Sequence, residues 1–328
     1  MSPHAVASLP RLGAALLAAL VLGACATPPT PAPGEDVARA AELHDVPFHP
    51  QKLYQCGPAA VATMLGDLGI EADPDDLVSE VYVPEREGSL PAEMRASVRA
   101  RGLVAYPLAP SIDDLVTAID AGYPVLVMQN LGLDWAPTWH YAVVVGYDLE
   151  RERVVLRSET DRRRVNRTAT FQRTWARADY WAQLVVEPHD IPPVAEPLAW
   201  LEAVHELEER GDITAARAGY EAATREWPTY RPAWMARGNA AWAAGDVEAA
   251  ADAFAEAVLL DAERWEGWNN LAHALARDGC GAPAAQAAYC AQQLAPDEDA
   301  TRSTLAQFAD AEGGDGCQAL PPCPALRP

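Results

Sequence analysis

Apolar residues between positions 44 and 187 follow two different periodicities. After Cys56 they recur at intervals of three and four, which predicts a buried amphipathic helix that begins at this cysteine. These residues are Ala60, Val61, Met64, Leu65 and Leu68. Apolar runs at 124–130 and 140–147, followed by 153–158, predict strands of a sheet. The pattern therefore indicates one domain of helices and strands, residues 44–187.

The C-terminal third of the chain repeats with a period of 34 residues. Trp200, Trp234 and Trp268 recur at this interval, and such a period is typical of stacked supersecondary units. Glycine, alanine and aromatic positions keep the same phase: Gly211, Gly245 and Gly279; Ala216, Ala250 and Ala284; Tyr220 and Phe254. The pattern resembles tetratricopeptide repeats and predicts an all-α domain, residues 199–300, for protein-partner binding or, alternatively, for stabilisation or oligomerisation only.

Residues 1–24 carry the features of a secretion signal peptide. Arg11 precedes the apolar run from Leu12 to Leu22, which is shorter than the roughly 20 residues of a membrane-spanning helix. Cys25 directly follows Leu-Gly-Ala, and this sequence resembles a bacterial lipobox, which implies a diacylated Cys25. The alternative is an ordinary signal peptide with a chance cysteine. We expect a periplasm-facing envelope lipoprotein, and Ala26 after the cysteine favours the outer membrane.

Three further segments are predicted to lie outside the two domains. Residues 25–43 are Pro-rich and predict an extended tether. Residues 188–198 form a second Pro-rich stretch and predict a linker between the domains. Residues 301–328 form a tail that contains two cysteines.

Charge and motif content exclude some classes of function. The formal net charge of −22 makes a nucleic-acid binder implausible, because phosphate would be repelled. C-x-x-C and H-E-x-x-H spacings are absent from the sequence, so we predict no metal site and no cofactor.

The six cysteines fall into three groups. Cys25 is the predicted lipidation site, and Cys56 is predicted to be a free nucleophile. The remaining four form an even set in an oxidising compartment, which favours disulfides. Sequence does not fix their connectivity, and the preferred pairs are Cys280 with Cys290 and Cys317 with Cys323.

Cys56 and His140 have the settings of a nucleophile and its base. Cys56 opens the predicted helix, and Pro58 suits a first helical turn. A helix N-terminus is expected to lower the pKa of a thiol there, although a cysteine at a helix start is also often a small buried hydrophobe. His140 opens a predicted strand and can meet Cys56 across a cleft.

The residues around this pair resemble cysteine peptidase family thirty-nine, whose members process bacteriocin and double-glycine leaders. The resemblance covers residues 44–187 and rests on Cys56-Gly57-Pro58 and on His140-Tyr-Ala-Val-Val-Val-Gly-Tyr-Asp148. It includes lipoprotein relatives with C-terminal tetratricopeptide repeats. It implies an α+β papain-like fold, with Cys56 as nucleophile, His140 as general base and Gln51 as an oxyanion donor. Gln51 stands five residues before Cys56, whereas the family usually has six.

The group that orients His140 departs from the family pattern. Asp148 cannot reach it, because it lies eight residues along the same strand, roughly 26 Å away at about 3.3 Å per residue. The family places an Asp on the next strand, where this chain has Ser158. A hairpin centred near Leu149 would set Ser158 opposite His140, a turn one residue later would set Thr160 there, and the register stays open. The other possible partners are Glu159, Asp161 and Asn130.

Two further features lie close to the predicted pair. The loop 131–139 is apolar, and its Trp135 and Trp139 either line a peptide-binding cleft or pack in the core. An arginine cluster after the His140 strand predicts a solvated sheet edge, with contact to a substrate carboxylate as the alternative. Its members are Arg157, Arg162, Arg163, Arg164 and Arg167.

Three hypotheses on function follow. The leading one is an envelope-anchored peptidase that cleaves peptide or protein substrates through an acyl-enzyme on Cys56. The second is a papain-fold module that binds a peptide with little or no catalysis, which the missing Asp favours. The third is a cell-wall peptide hydrolase, because Cys–His chemistry does not specify the acyl group.

Overall fold

The structure, a computed structural model, describes residues 37–314, 317 and 319–324. These residues form an α+β domain followed by an array of paired helices, as the sequence predicts. The predicted signal peptide, the lipidation site Cys25 and most of the predicted tether lie outside the described residues. In the described part of the chain, no helix is both long and apolar enough to cross a membrane.

An antiparallel sheet of seven strands forms the centre of the first domain. The strands of this domain are β1 (Ala40–Glu42), β2 (Tyr82–Val83), β3 (Gly88–Ser89), β4 (Val104–Pro107), β5 (Val125–Asn130), β6 (Trp139–Asp148), β7 (Arg153–Ser158), β8 (Asp161–Arg167) and β9 (Ala182–Val186). The central sheet has the order β4-β9-β5-β6-β7-β8, with β1 beside the second half of β6. Strands β2 and β3 pair separately.

Helices cover both faces of this sheet. They are α1 (Cys56–Asp67), α2 (Pro74–Val81), α3 (Pro91–Arg99), α4 (Ile112–Asp120) and α5 (Thr168–Ala176), with a 3-10 helix at Pro84–Arg86. Helices α1 to α3 pack on one face, and α4 and α5 pack on the other. Strand β6 is therefore buried on both sides, which explains why its sequence is a nearly continuous apolar run.

Arg157 of β7 fastens the chain before α1 to the sheet. We call residues 43–46 the strap, because they join β1 to the segment that leads to α1. The buried guanidinium of Arg157 donates to the carbonyl oxygens of Leu43, His44 and Val46 at 3.2 to 3.3 Å. It also donates to the carbonyl oxygen of Arg162 at 2.8 Å. One side chain thus satisfies four backbone acceptors, and its burial lowers the pKa of Arg157.

The predicted solvated edge is wrong for Arg157. This residue is 5% exposed and lies on an inner strand. The other members of the cluster lie on β8, which is the edge strand of the sheet, and they are Arg162, Arg163, Arg164 and Arg167. The spacing of the arginines did not distinguish the buried Arg157 from the exposed ones. Its burial depends on the strap, which is distant from it in the chain.

The second domain consists of helix pairs joined by tight turns. Its helices are α6 (Pro197–Glu209), α7 (Ile213–Glu226), α8 (Arg231–Ala243), α9 (Val247–Leu260), α10 (Trp265–Arg277), α11 (Gly281–Leu294) and α12 (Asp299–Phe308). The turn inside each of the first three pairs has a glycine with a positive φ, at Gly211, Gly245 and Gly279. Glycine adopts this left-handed conformation without steric cost, so the periodic glycines fix the helix ends.

Two of the periodic tryptophans make the same contact with the residues that precede their helices. The indole N–H of Trp234 donates to the carbonyl oxygen of Pro228, and that of Trp268 donates to Ala262, both at 2.8 Å. These contacts are the same interaction one repeat apart. The helical region therefore fits the tetratricopeptide pattern that the period predicted.

The two domains share one apolar core. Trp200 of α6 packs near Tyr106 of β4, with ring centroids 6.3 Å apart. The Tyr106 hydroxyl accepts the backbone N–H of Glu196 at 2.9 Å, and Arg99 of α3 pairs with Glu206 of α6. The first repeat is therefore packed directly against the sheet.

The preferred disulfide pairing from the sequence is wrong. Cys280 pairs with Cys317 and Cys290 pairs with Cys323, with Cα–Cα distances of 5.9 and 5.2 Å. The tail folds back across the last helices, where Cys317, Leu320 and Cys323 pack against the repeat core. Proximity along the chain suggested short local bridges, whereas the fold brings the tail to α11.

We predict that Arg157→Met destabilises the protein by about 2–4 kcal/mol, because it leaves the buried carbonyl oxygen of Val46 and the part-buried ones of Leu43 and His44 without this donor. A fully buried unsatisfied group costs about 1–3 kcal/mol, and a part-buried one costs less. Urea unfolding followed by circular dichroism measures this change. Arg162→Met is the matched control, because the Arg162 side chain is exposed, and it should change stability by less than about 0.5 kcal/mol. Equal effects of the two substitutions would contradict the role assigned to Arg157.

Candidate active site

Cys56 is the first residue of α1 and the only free cysteine among the described residues. Pro58 occupies the first turn of this helix, where a backbone N–H is not needed. Gly57 is required by packing, because a Cβ at this position would overlap the Ser89 side chain. The helix start is thus held closely against β3, and the thiol faces a cleft.

Burial dominates the acidity of the Cys56 thiol. It raises the pKa of Cys56 above its ordinary value, and backbone hydrogen bonds at Tyr141, Gly57 and Cys56 oppose this effect without outweighing it. The backbone groups at the helix start therefore lower the pKa of this thiol as expected, but burial raises it by more. The thiol is neutral at physiological pH.

His140 is the second residue of β6 and lines the cleft. Its ring is held through one nitrogen, because Nε2 is 2.9 Å from Ser158 Oγ. Burial lowers the pKa of His140 to about 4, while Glu159 raises it and Arg164 lowers it. The imidazole is consequently neutral at pH 7 and available as a base.

The register of the β6–β7 hairpin explains how Ser158 reaches His140. Val143 pairs with Arg157 and Val144 with Leu156, which corresponds to the later of the two turn positions considered from the sequence. Ser158 therefore lies diagonally across from His140 and not directly opposite it. The two side chains still meet, because both are on the same face of the sheet.

The other possible partners of His140 make different contacts. Asn130 Oδ1 accepts the backbone N–H groups of Gly132 and Thr138, at 3.0 and 2.9 Å, and so holds the β5–β6 loop together. The Glu159 carboxylate pairs with Arg164, and Asp161 is an exposed residue at the start of β8. Among the candidates from the sequence, Ser158 alone makes a hydrogen bond with His140 within the described structure.

Gln51 lies in the same cleft and joins the chain before α1 to strand β6 and to the β7–β8 turn. Its Nε2 donates to the carbonyl oxygen of Tyr141 at 3.1 Å, and its Oε1 accepts the backbone N–H of Glu159 at 3.0 Å. Its own backbone N–H donates to the carbonyl oxygen of Glu159 at 2.8 Å. An amide nitrogen carries two hydrogens, so one N–H remains for a ligand in the cleft.

The cleft has a volume of about 910 Å³ and contains Cys56, His140 and Gln51. Much of its lining is apolar and comes from segments on either side of the pair: Leu53, Tyr54, Leu90, Met128, Pro137 and Trp139. Trp139 is 53% exposed and Trp135 is 83% exposed. Packing of these tryptophans in the core, one of the two interpretations of the sequence, is therefore wrong.

Some contacts of the site were not predicted from the sequence. Ser89 and the backbone of Tyr141 contact the Cys56 region only through the fold, and Arg164 reaches the His140 surroundings across the β7–β8 turn. No group of three His, Cys, Asp or Glu side chains that could hold a metal ion occurs within the described ranges. The polar groups that line the cleft include the Cys56 thiol, the His140 imidazole and the Gln51 amide.

Comparison with known proteins confirms the family resemblance. Residues 43–183, less than half of the chain, match the model of the Peptidase_C39 like family. No curated protein matches the chain.

Two solved structures are similar to separate parts of the chain. One is a protein described as a C39-like peptidase from Bacillus anthracis, with 21% identity and a TM-score of 0.38 over 45% of this chain and 98% of that chain. The other is the first tetratricopeptide domain of Spaghetti (RPAP3) bound to an HSP90 peptide. It has 15% identity and a TM-score of 0.33 over 34% of this chain and 90% of that chain.

We predict that Ser158→Asp makes the Cys56 thiol react at lower pH. In the wild-type protein the alkylation rate should still rise above pH 9, because burial raises the pKa of the Cys56 thiol. A carboxylate at position 158 would stabilise the protonated form of His140, and that charge would favour the thiolate. Intact mass after iodoacetamide treatment across pH 5–10 measures the rate, and Ser158→Ala serves as the control. An identical profile in the Asp and Ala variants would contradict the assignment.

Proposed function

We propose that residues 43–183, the part of the chain that matches the Peptidase_C39 like family, act as a cysteine peptidase. Cys56 is the nucleophile and His140 is the general base. The observation that carries this proposal is that both residues line one cleft while Ser158 occupies Nε2 of His140. The ring is thereby oriented, and Nδ1 is left for the thiol.

The reaction begins from a neutral pair. For Nδ1 to act as the base, Nε2 carries the ring hydrogen and donates it to Ser158 Oγ. His140 Nδ1 takes the thiol proton as Cys56 Sγ attacks the peptide carbonyl carbon. The resulting imidazolium then gives this proton to the leaving amine, the C–N bond breaks and a thioester forms. Water, deprotonated by the same imidazole, hydrolyses the thioester and restores the thiol.

Two N–H groups are suited to the oxyanion that forms during attack. The backbone N–H of Cys56 is at the helix start, where intrahelical acceptors are lacking. The second amide hydrogen of Gln51 is the other donor, because the first is bound by Tyr141. Donors that are fixed before the reaction contribute most to such catalysis, and Gln51 is fixed by three hydrogen bonds.

The cleft suits an extended peptide with apolar side chains near the scissile bond. Its apolar lining supplies the contact area, and its few polar groups fix the orientation of the bound chain. The repeat domain is proposed to bind a protein partner or a distant part of the substrate. This combination fits a protein substrate better than a free amino-acid derivative.

The proposal includes an envelope location. Cys25 follows a short apolar signal and precedes a Pro-rich tether, a sequence suited to a lipid anchor in the outer membrane. The folded domains then face the periplasm.

We predict that the chain from residue 26 cleaves peptides from a proteome digest and that Cys56→Ala removes this activity. His140→Ala should reduce it at least about 100-fold, because general-base catalysis contributes roughly 10²–10⁴-fold. Mass spectrometry of new peptide termini measures cleavage. His189→Ala is the matched control, because His189 is an exposed linker residue.

One observation favours a second function, a binding module. Ser158 is neutral where the family has an acid, and burial leaves the Cys56 thiol protonated. Peptides that are retained by the wild-type protein without new termini would support this module and contradict the peptidase. Cleavage restricted to cell-wall fragments would instead identify a different acyl substrate.

We also predict that the full-length protein fractionates with the outer membrane in a bacterium that has one, because a diacylated Cys25 would insert its acyl chains. Cys25→Ser should move the protein out of that fraction, whereas Cys56→Ser should not. Density-gradient fractionation followed by immunoblotting measures this. Wild-type protein in the periplasmic fraction would refute the anchor.

A further inference from the structure

The proposed reaction creates a positive charge that Ser158 cannot neutralise. When His140 accepts the thiol proton it becomes an imidazolium, and papain-like sites stabilise this ion with an acidic or amide group. A serine hydroxyl orients the ring but carries no charge. A negative charge from another residue would add stabilisation that this hydroxyl does not provide.

Charged and titratable groups face His140 from two parts of the fold. Helix α1 contributes Cys56, and the β7–β8 turn contributes Glu159 and Arg164. The remaining charged residues of the cleft are Lys52, Arg86 and Glu87. Lys52 forms an ion pair with Asp75, with Nζ and Oδ1 2.5 Å apart. The charges that act on His140 are those of Glu159 and Arg164 on the β7–β8 turn.

Glu159 has an unusually fixed backbone for a turn residue. Its φ is 55°, in the left-handed region, and residues other than glycine seldom adopt this conformation. Its N–H and carbonyl oxygen both bond to Gln51, at 3.0 and 2.8 Å. Glu159 therefore has a fixed position in the lining of the cleft, directly after Ser158.

Arg164 limits the effect of this carboxylate. The two side chains form an ion pair in which Glu159 is 50% and Arg164 is 34% exposed. Glu159 raises the pKa of His140 and Arg164 lowers it. The two charges thus act on the imidazole in opposite directions.

We propose that Glu159 is a positioning residue that stabilises the protonated form of His140 during the reaction, in place of the carboxylate that Ser158 lacks, and that Arg164 opposes it. The proposal rests on the proposed peptidase function. In this proposal the negative charge lies on the turn, one residue after the strand position where the family has its acid. Ser158 then orients the ring, while Glu159 supplies the charge.

Removal of each charge separately tests the proposal, because the two variants should differ in sign. Glu159→Gln should lower kcat/KM roughly two- to fivefold, the range for a partly exposed charge interaction. It should also move the acid limb of the pH profile to lower pH, because that limb reports His140 in the free enzyme. Arg164→Gln should raise kcat/KM by a similar factor and move the limb to higher pH.

Controls on the same turn separate charge from structure. Asp161→Asn removes a nearby exposed carboxylate, and Arg162→Gln removes a nearby exposed guanidinium; neither should move the limb. If the Glu159–Arg164 pair only holds the turn together, both main variants should lower kcat/KM together without shifting the limb, and that result would overturn the proposal.

A readout without turnover keeps this proposal distinct from the peptidase function. The pH titration of the His140 ring resonances by NMR should shift to lower pH in Glu159→Gln and to higher pH in Arg164→Gln. Opposite shifts without peptide cleavage would support the role of Glu159 and refute the peptidase. Cleavage with an unshifted titration would refute the role of Glu159 alone.

Discussion

Arg157 connects the two halves of the candidate site. Its guanidinium holds the strap against β7, and the chain from the strap leads through Gln51 to Cys56. His140 and Ser158 lie on β6 and β7 of the same sheet. A buried charge is normally costly, but here the guanidinium donates to four backbone carbonyl oxygens, and its bonds to Val46 are buried. Cys56 and His140 therefore line one cleft although they lie on separate segments, and one side chain fastens those segments together.

Burial of the site also disfavours the charged forms of Cys56 and His140 in the free protein. Removal from water raises the pKa of Cys56 and lowers that of His140, so the neutral forms of both groups predominate. A nearby negative charge would favour a thiolate–imidazolium pair, and Ser158 does not supply one. The hydrogen bond between Ser158 and His140 thus orients the ring in the free protein without adding a charge.

The repeat domain is part of this architecture and not a loosely attached module. Trp200 and Tyr106 pack in one core, and helix α3 spans the distance between the domains. Its first residue, Pro91, lines the cleft, and its last, Arg99, pairs with α6. A partner bound to the repeats would consequently meet the cleft at a fixed separation, because the intervening elements are rigid and closely packed.

The sequence by itself determined the features that depend on local periodicity. The helix at Cys56, the β6 strand and the 34-residue repeat follow from side-chain spacing, because each of these periods can be read directly along the chain. The tertiary structure decided the rest. The hydrogen-bond partner of His140 depended on the strand register. The burial of Arg157 depended on carbonyl groups that are distant in the chain. The disulfide pairing depended on how the tail folds back. The tertiary structure also decided the pKa of the Cys56 thiol. Burial raises this pKa, and burial depends on residues far away in the chain.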